Sequence, residues 1–73
     1  MGVYQAQLEQ DEDGRWSSWI DGLPGCAAWG LTREEALAAL NDAAVAYVAD
    51  MVEAGELSAT DADVVIQEPT ATQ

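Results

Sequence analysis

The stretch Gly22-Leu23-Pro24-Gly25-Cys26-Ala27-Ala28-Trp29-Gly30-Leu31-Thr32-Arg33-Glu34-Glu35-Ala36 decides the fold. It opens on a turn in which Pro24 fixes φ and Gly22 and Gly25 supply conformational freedom. Cys26 to Trp29 then reads as a short strand, which Gly30 ends. Thr32 and Glu35 have the spacing of a capping box. In such a box the Thr32 hydroxyl accepts from the backbone N–H of Glu35, and the Glu35 carboxylate accepts from the N–H of Thr32. Turn, strand and capped helix therefore follow one another without a gap.

Towards the N-terminus, Tyr4, Ala6 and Leu8 alternate with Gln5, Gln7 and Glu9, the period of a strand with one buried face. Asp11-Glu12-Asp13-Gly14 is a turn, because Asp-Gly tolerates the positive φ of tight hairpins. Trp16, Ser18 and Ile20 alternate with Arg15, Ser17 and Trp19 in a second strand, antiparallel to the first. That phase places Trp16 in the core beneath the helix, and Trp19 on the opposite face.

Towards the C-terminus, a helix is expected from about Arg33 to Ala54. Leu37, Leu40, Ala44, Tyr47, Val48 and Met51 recur at three- and four-residue steps and form one apolar stripe. Gly55 sits where a glycine ends a helix. At 1.5 Å per residue such a helix spans roughly 33 Å, enough to cross a small sheet. Val64-Val65-Ile66 reads as a fourth strand, and its unbroken apolar character points to a place inside the sheet, between neighbours or under the helix. Pro69 ends it, and residues 69–73 are expected to be a loose tail.

The fold class is accordingly α+β: a single β-β-β-α-β domain over residues 1–73, with an ordered core at about 3–68. A helical crossover from strand 3 to strand 4 lets strand 4 lie parallel to strand 1, for a sheet order of 3-2-1-4. One helix covers one face of that sheet. The other face meets water or a partner.

Composition narrows the function. The chain has 73 residues and a net charge of −12, from fourteen acids against Arg15 and Arg33 alone. Nothing here neutralises phosphates, which argues against nucleic acid and against an anionic membrane. The acids form either a solvated surface or the complement of a basic partner. Cys26 is the only cysteine and there is no histidine, so neither an internal disulfide nor zinc is expected. The N-terminus lacks the basic and apolar regions of a signal peptide, and a cytoplasmic location is expected.

Catalysis is not expected. Glu9, Glu34, Glu35 and Asp63 lie on elements where a ribonuclease H-type nuclease gathers carboxylates around Mg²⁺. However, Glu9 opposes the buried phase of its strand and Glu35 is engaged in capping. With no histidine and no lysine, general acid–base and nucleophilic chemistry have few candidates. No cofactor and no metal are expected.

From Tyr4 to about Glu68 the pattern resembles the HicB-type antitoxin domain. The resemblance rests on the aromatic opening of the first strand, the acidic turn closed by Gly14, Trp16, Leu23-Pro24-Gly25-Cys26, Gly30, Thr32, Glu35-Ala36, and the alanine-rich helix ending at Gly55. It implies a truncated ribonuclease H-like fold without its activity, and a function in neutralising a small basic ribonuclease of the HicA type by covering its RNA-binding face. Asp21-Gly22 stands where the family usually has Pro-Asp, and Trp29 where it prefers a polar residue. Many members carry a C-terminal DNA-binding segment. With no basic residue after Arg33, this chain alone is not expected to repress an operon.

The expected partner-binding residues are Asp11, Glu12, Asp13 and Asp21, facing a basic protein where complementary charge chiefly raises the on-rate. Trp19 and Trp29 are the expected interface of a two-fold homodimer, since aromatics are enriched at interface hot spots. Two alternatives stay open: an acidic nucleic-acid mimic that inhibits a nuclease, as in a phage anti-defence protein, and a stand-alone structural or regulatory dimer.

Overall fold

In the computed structural model, which describes residues 2–68, the N-terminal alternation forms β1 (Gly2–Gln10). The hairpin then leads into β2 (Trp16–Ile20). At its turn, the Gly14 N–H donates to the Asp11 carbonyl at 3.0 Å, and the Asp11 N–H donates to the Arg15 carbonyl at 2.7 Å. Gly14 takes a positive φ of 94° within this five-residue connection, Asp11 to Arg15. The Leu23–Cys26 reversal closes with the Cys26 N–H on the Leu23 carbonyl at 2.9 Å. Of the two glycines expected to supply freedom there, Gly25 does so, at φ 85° behind Pro24 in the manner of a type II turn. β3 (Ala27–Gly30) follows.

The helix α1 (Arg33–Glu53) begins at Thr32, whose hydroxyl accepts from the Glu35 N–H at 3.1 Å. The reciprocal half of the cap differs from the expected box. The Glu35 carboxylate accepts from the N–H of Leu31, at 3.0 Å, not from that of Thr32. The carboxylate thus satisfies the amide one residue before the cap. At the other end the Glu56 N–H reaches the Met51 carbonyl and the Gly55 N–H reaches the Val52 carbonyl, the paired bonds of a Schellman motif around Gly55. A single 3₁₀ turn (Ala59–Asp61) leads to β4 (Val64–Gln67).

The four strands form one mixed sheet in the order β3-β2-β1-β4. β1 pairs antiparallel with β2 (Ala6 opposite Ile20, Leu8 opposite Ser18) and parallel with β4 (Val3 opposite Val65, Tyr4 opposite Ile66). β4 is therefore an edge strand, not one between neighbours. Its apolar run has a two-sided explanation: Val64 and Ile66 pack on the core under α1, while Val65 is exposed on the other face. Pro69 and the tail lie outside the described residues. Among the described residues no helix is long and apolar enough to cross a membrane.

Ala6, Ile20, Leu23, Cys26, Leu40 and Ala44 make the buried cluster, with Ala36 and Val48 also buried along the same helical row. Two of the four buried helix residues are alanines, Ala36 and Ala44, so α1 lies close on the sheet. Gly30 shows how close. A Cβ there would stand 2.6 Å from the Ala36 nitrogen and 2.7 Å from the Glu35 Cβ. Gly30 thus belongs to β3 and admits the first helical turn, beyond merely stopping a strand. Ser18, buried on β2, donates its hydroxyl to the Ala36 carbonyl at 2.9 Å and lies 3.3 Å from the Ala28 carbonyl. Trp16 shares the phase of Ser18 and Ile20 but is only half-buried and stands outside the core cluster. Its row, Gln10–Trp16–Gly30, lies at the end of the sheet where α1 begins.

Candidate functional site

The face of the sheet away from α1 follows from the strand registers. Glu9, Ser17 and Trp29 form one cross-strand row, and Gln7, Trp19 and Ala27 the next. Trp19 and Trp29 are diagonal neighbours on β2 and β3, a relation that sets residues about 7–8 Å apart. Both stand on the uncovered face, Trp19 as its alternation predicts and Trp29 through its register with Ser17. Trp29 is 60% exposed. Trp19 is half-buried, and its indole N–H donates to the Asp21 carboxylate at 3.2 Å. Val3 and Val65 add an exposed apolar pair at the β4 side of the same face.

Acidic groups bracket the tryptophans. Asp11, Glu12 and Asp13 are exposed on the hairpin at one end of β2, and Asp21 is exposed at the other. Five residues of strand separate Trp16 from Asp21, about 17 Å at 3.4 Å per residue. The four carboxylates are thus two separate groups, with the rings between them. Glu9, which sequence reasoning weighed only as a metal ligand, is exposed on this face and belongs to the same rim.

One cation sits on the face. The Arg15 guanidinium lies 5.6 Å from the Trp29 ring centroid and 3.4 Å from the Asp13 carboxylate. This contact was missed in the sequence, although Arg15 shares the phase of Ser17 and Trp19. The second cation, Arg33, is on the helix and pairs with Glu68 at 2.9 Å.

The carboxylates weighed for nuclease chemistry do not converge. Asp63 precedes β4, and the Gly2–Val64 register puts it about eight residues of strand, or about 26 Å, from the level of Glu9. Glu35 is held by Leu31. Among the described residues no three His, Cys, Asp or Glu side chains are grouped to hold a metal ion. Cys26 is buried, and that burial pushes its thiol pKa up, away from the reactive thiolate. On the helix side, a surface depression of about 280 Å³ lies between Tyr47, Asp50, Met51, Ala54 and Glu56, without a cation or a thiol.

Fold and surface together define a small, acidic α+β domain with one aromatic, uncovered sheet face. Over residues 4–71 the chain matches the family described as HicB_like antitoxin of bacterial toxin-antitoxin system. The chain belongs to that family. Its structure is similar to the crystal structure of the N-terminal domain of the Burkholderia pseudomallei antitoxin HicB, with a TM-score of 0.65 and 25% sequence identity, covering 89% of this chain and 69% of that one. No curated protein matches it in sequence.

Proposed function

We propose that this antitoxin acts without catalysis, by binding a small basic ribonuclease toxin of the HicA type in the cytoplasm and occluding its RNA-binding surface. The observation that carries the reading is the uncovered face itself, where Trp19 and Trp29 stand between Asp11, Glu12 and Asp13 at one end and Asp21 at the other. Aromatic anchors inside a charged rim are the anatomy of a protein interface. The net charge of −12 selects a basic occupant. A second copy of the chain competes for the same rings in the two-fold dimer expected from the sequence. It would bring another −12 against the same rim, so the basic partner is the better-supported occupant. The acidic-mimic reading rests on the charge alone and uses no feature of the face.

The test is co-expression with a neighbouring basic reading frame of toxin size, followed by co-purification and an RNA-cleavage assay. Cleavage by the toxin alone, suppressed by this chain and restored by Trp19→Ser with Trp29→Ser, supports the reading. Suppression that survives both substitutions removes the face from the function. The association rate should fall as the Debye length shrinks from about 10 Å at 0.1 M salt to about 3 Å at 1 M. A rate that does not change with salt removes the electrostatic part.

A further inference from the structure

We infer that Trp29, with the Asp13 carboxylate that pairs with Arg15, is a receptor for an arginine side chain of a basic protein partner, and that Arg15 occupies this receptor in the free protein. The inference rests on the proposed reading of this face as the partner-binding surface. Three observations carry it.

An indole at 60% exposure is a large apolar surface left in water, yet one guanidinium already lies 5.6 Å from its centroid. The ring is therefore placed so that a planar cation can stack on it, the geometry arginine uses better than lysine. The occupant is lightly held. Besides the ring, Arg15 has an ion pair to Asp13 whose two side chains are both 60% exposed, a contact of little strength. The local charges also favour exchange. Glu9 shares the cross-strand row of Trp29, and Asp13 stays behind when Arg15 swings away, so an incoming guanidinium meets the same aromatic face and the same carboxylate. Exchanging one guanidinium for another conserves the local charge balance, while the released Arg15 returns to solvent.

The test uses the full chain, labelled with ¹⁵N, and a terminally blocked nona-arginine peptide at about 0.1 M salt, with a nona-lysine peptide alongside. The indole N–H signals report on each tryptophan. Arg15→Gln and Arg33→Gln carry the same net charge, but only Arg15→Gln clears the Trp29 ring. The expected result is that nona-arginine shifts the Trp29 indole signal. It should also bind Arg15→Gln about two- to fivefold more tightly than Arg33→Gln, the range of one exposed cation–π contact. Adding Trp29→Leu to both variants should erase that difference, and nona-lysine should show a smaller one.

Equal affinities for the two charge-matched variants overturn the inference. So does a Trp29 signal that moves on dilution without peptide, which assigns the face to a second copy. The peptide is not a toxin, so the two readings fail separately. Neutralisation that fails while the stacking result holds removes the antitoxin reading. Equal affinities while neutralisation holds remove the arginine receptor.

Discussion

Replacing Gly30 by alanine tests how closely α1 rests on β3. The backbone of Gly30 does not have a positive φ, so alanine is conformationally acceptable there. On chain entropy alone the substitution would stabilise the protein by about 0.4–1 kcal/mol. The added methyl, however, meets the Ala36 nitrogen at 2.6 Å, the Glu35 Cβ at 2.7 Å and the Glu35 carbonyl carbon at 2.8 Å. Two of these three atoms are helix backbone, and the whole first turn must lift to make room. That turn is also where Ser18 binds the Ala36 carbonyl and where the Thr32 cap forms. Overpacking of this kind costs about 1–3 kcal/mol, and rigid neighbours place it at the upper end, for a net loss of about 2 kcal/mol. A chain of this length has a total stability of only about 4–11 kcal/mol. The melting temperature should fall by about 8–16 °C. Thermal unfolding followed by circular dichroism measures it, with Gly22→Ala as the control, since nothing lies within 4 Å of a Cβ at Gly22. A Gly30→Ala melting temperature equal to or above that of the unsubstituted protein would refute the close helix–sheet approach.

Ser18→Ala should lower stability by about 0.5–1.5 kcal/mol, the worth of one buried hydrogen bond, in urea unfolding; no loss would mean that the hydroxyl does not tie helix to sheet. Thr32→Ala removes the hydroxyl that accepts from Glu35 and should cost about 1 kcal/mol. Thr32→Ser should recover most of it in the same assay. Because burial raises its pKa, Cys26 should react slowly with iodoacetamide at pH 8 in the native protein and rapidly in denaturant; equal rates would place the thiol at the surface.

The elements and their order are legible because each is written locally. Alternation marks β1 and β2, Leu23-Pro24-Gly25 marks the turn, and Thr32 with Glu35 marks the helix start. What depends on distance along the sheet is not written that way. The phase of Trp16 gives its face but not its row, and the row at the end of the sheet leaves it half-buried. Val64-Val65-Ile66 has no phase of its own and so leaves open a place between neighbours or under the helix; at the edge, two of them serve the core under α1 and one faces outward. Glu35 reaches Leu31 because the path of the chain into the helix sets which amide lies within reach. Of the candidate site, the facing of Trp19 is legible from alternation, while that of Trp29 follows from the β2–β3 register. The pairing of Arg15 with Trp29 is not legible, since it requires the β2–β3 register that sets Ser17 opposite Trp29. The inward phase of Ser18 is legible, but its bond to the Ala36 carbonyl is not, because that partner lies on the helix.

The parallel pairing of β1 with β4 joins the first and last strands of the sheet, Gly2 against Val64 and Gln5 against Gln67. A ribosome makes β1 before the other elements of this sheet and β4 after them. At about 5–20 residues per second, the sixty-two residues from Val3 through Val64 take about 3–12 s to appear. Throughout that interval the hairpin, β3 and α1 can assemble, but one edge of β1 has no strand beside it. A message broken before the codons of β4 yields a chain that keeps Trp19, Trp29 and the acidic hairpin but leaves Gly2 to Gln5 without their partners on one side of β1. Completion of the sheet therefore reports that translation has run through to Gln67, and a prematurely terminated product is marked by an open edge on its first strand.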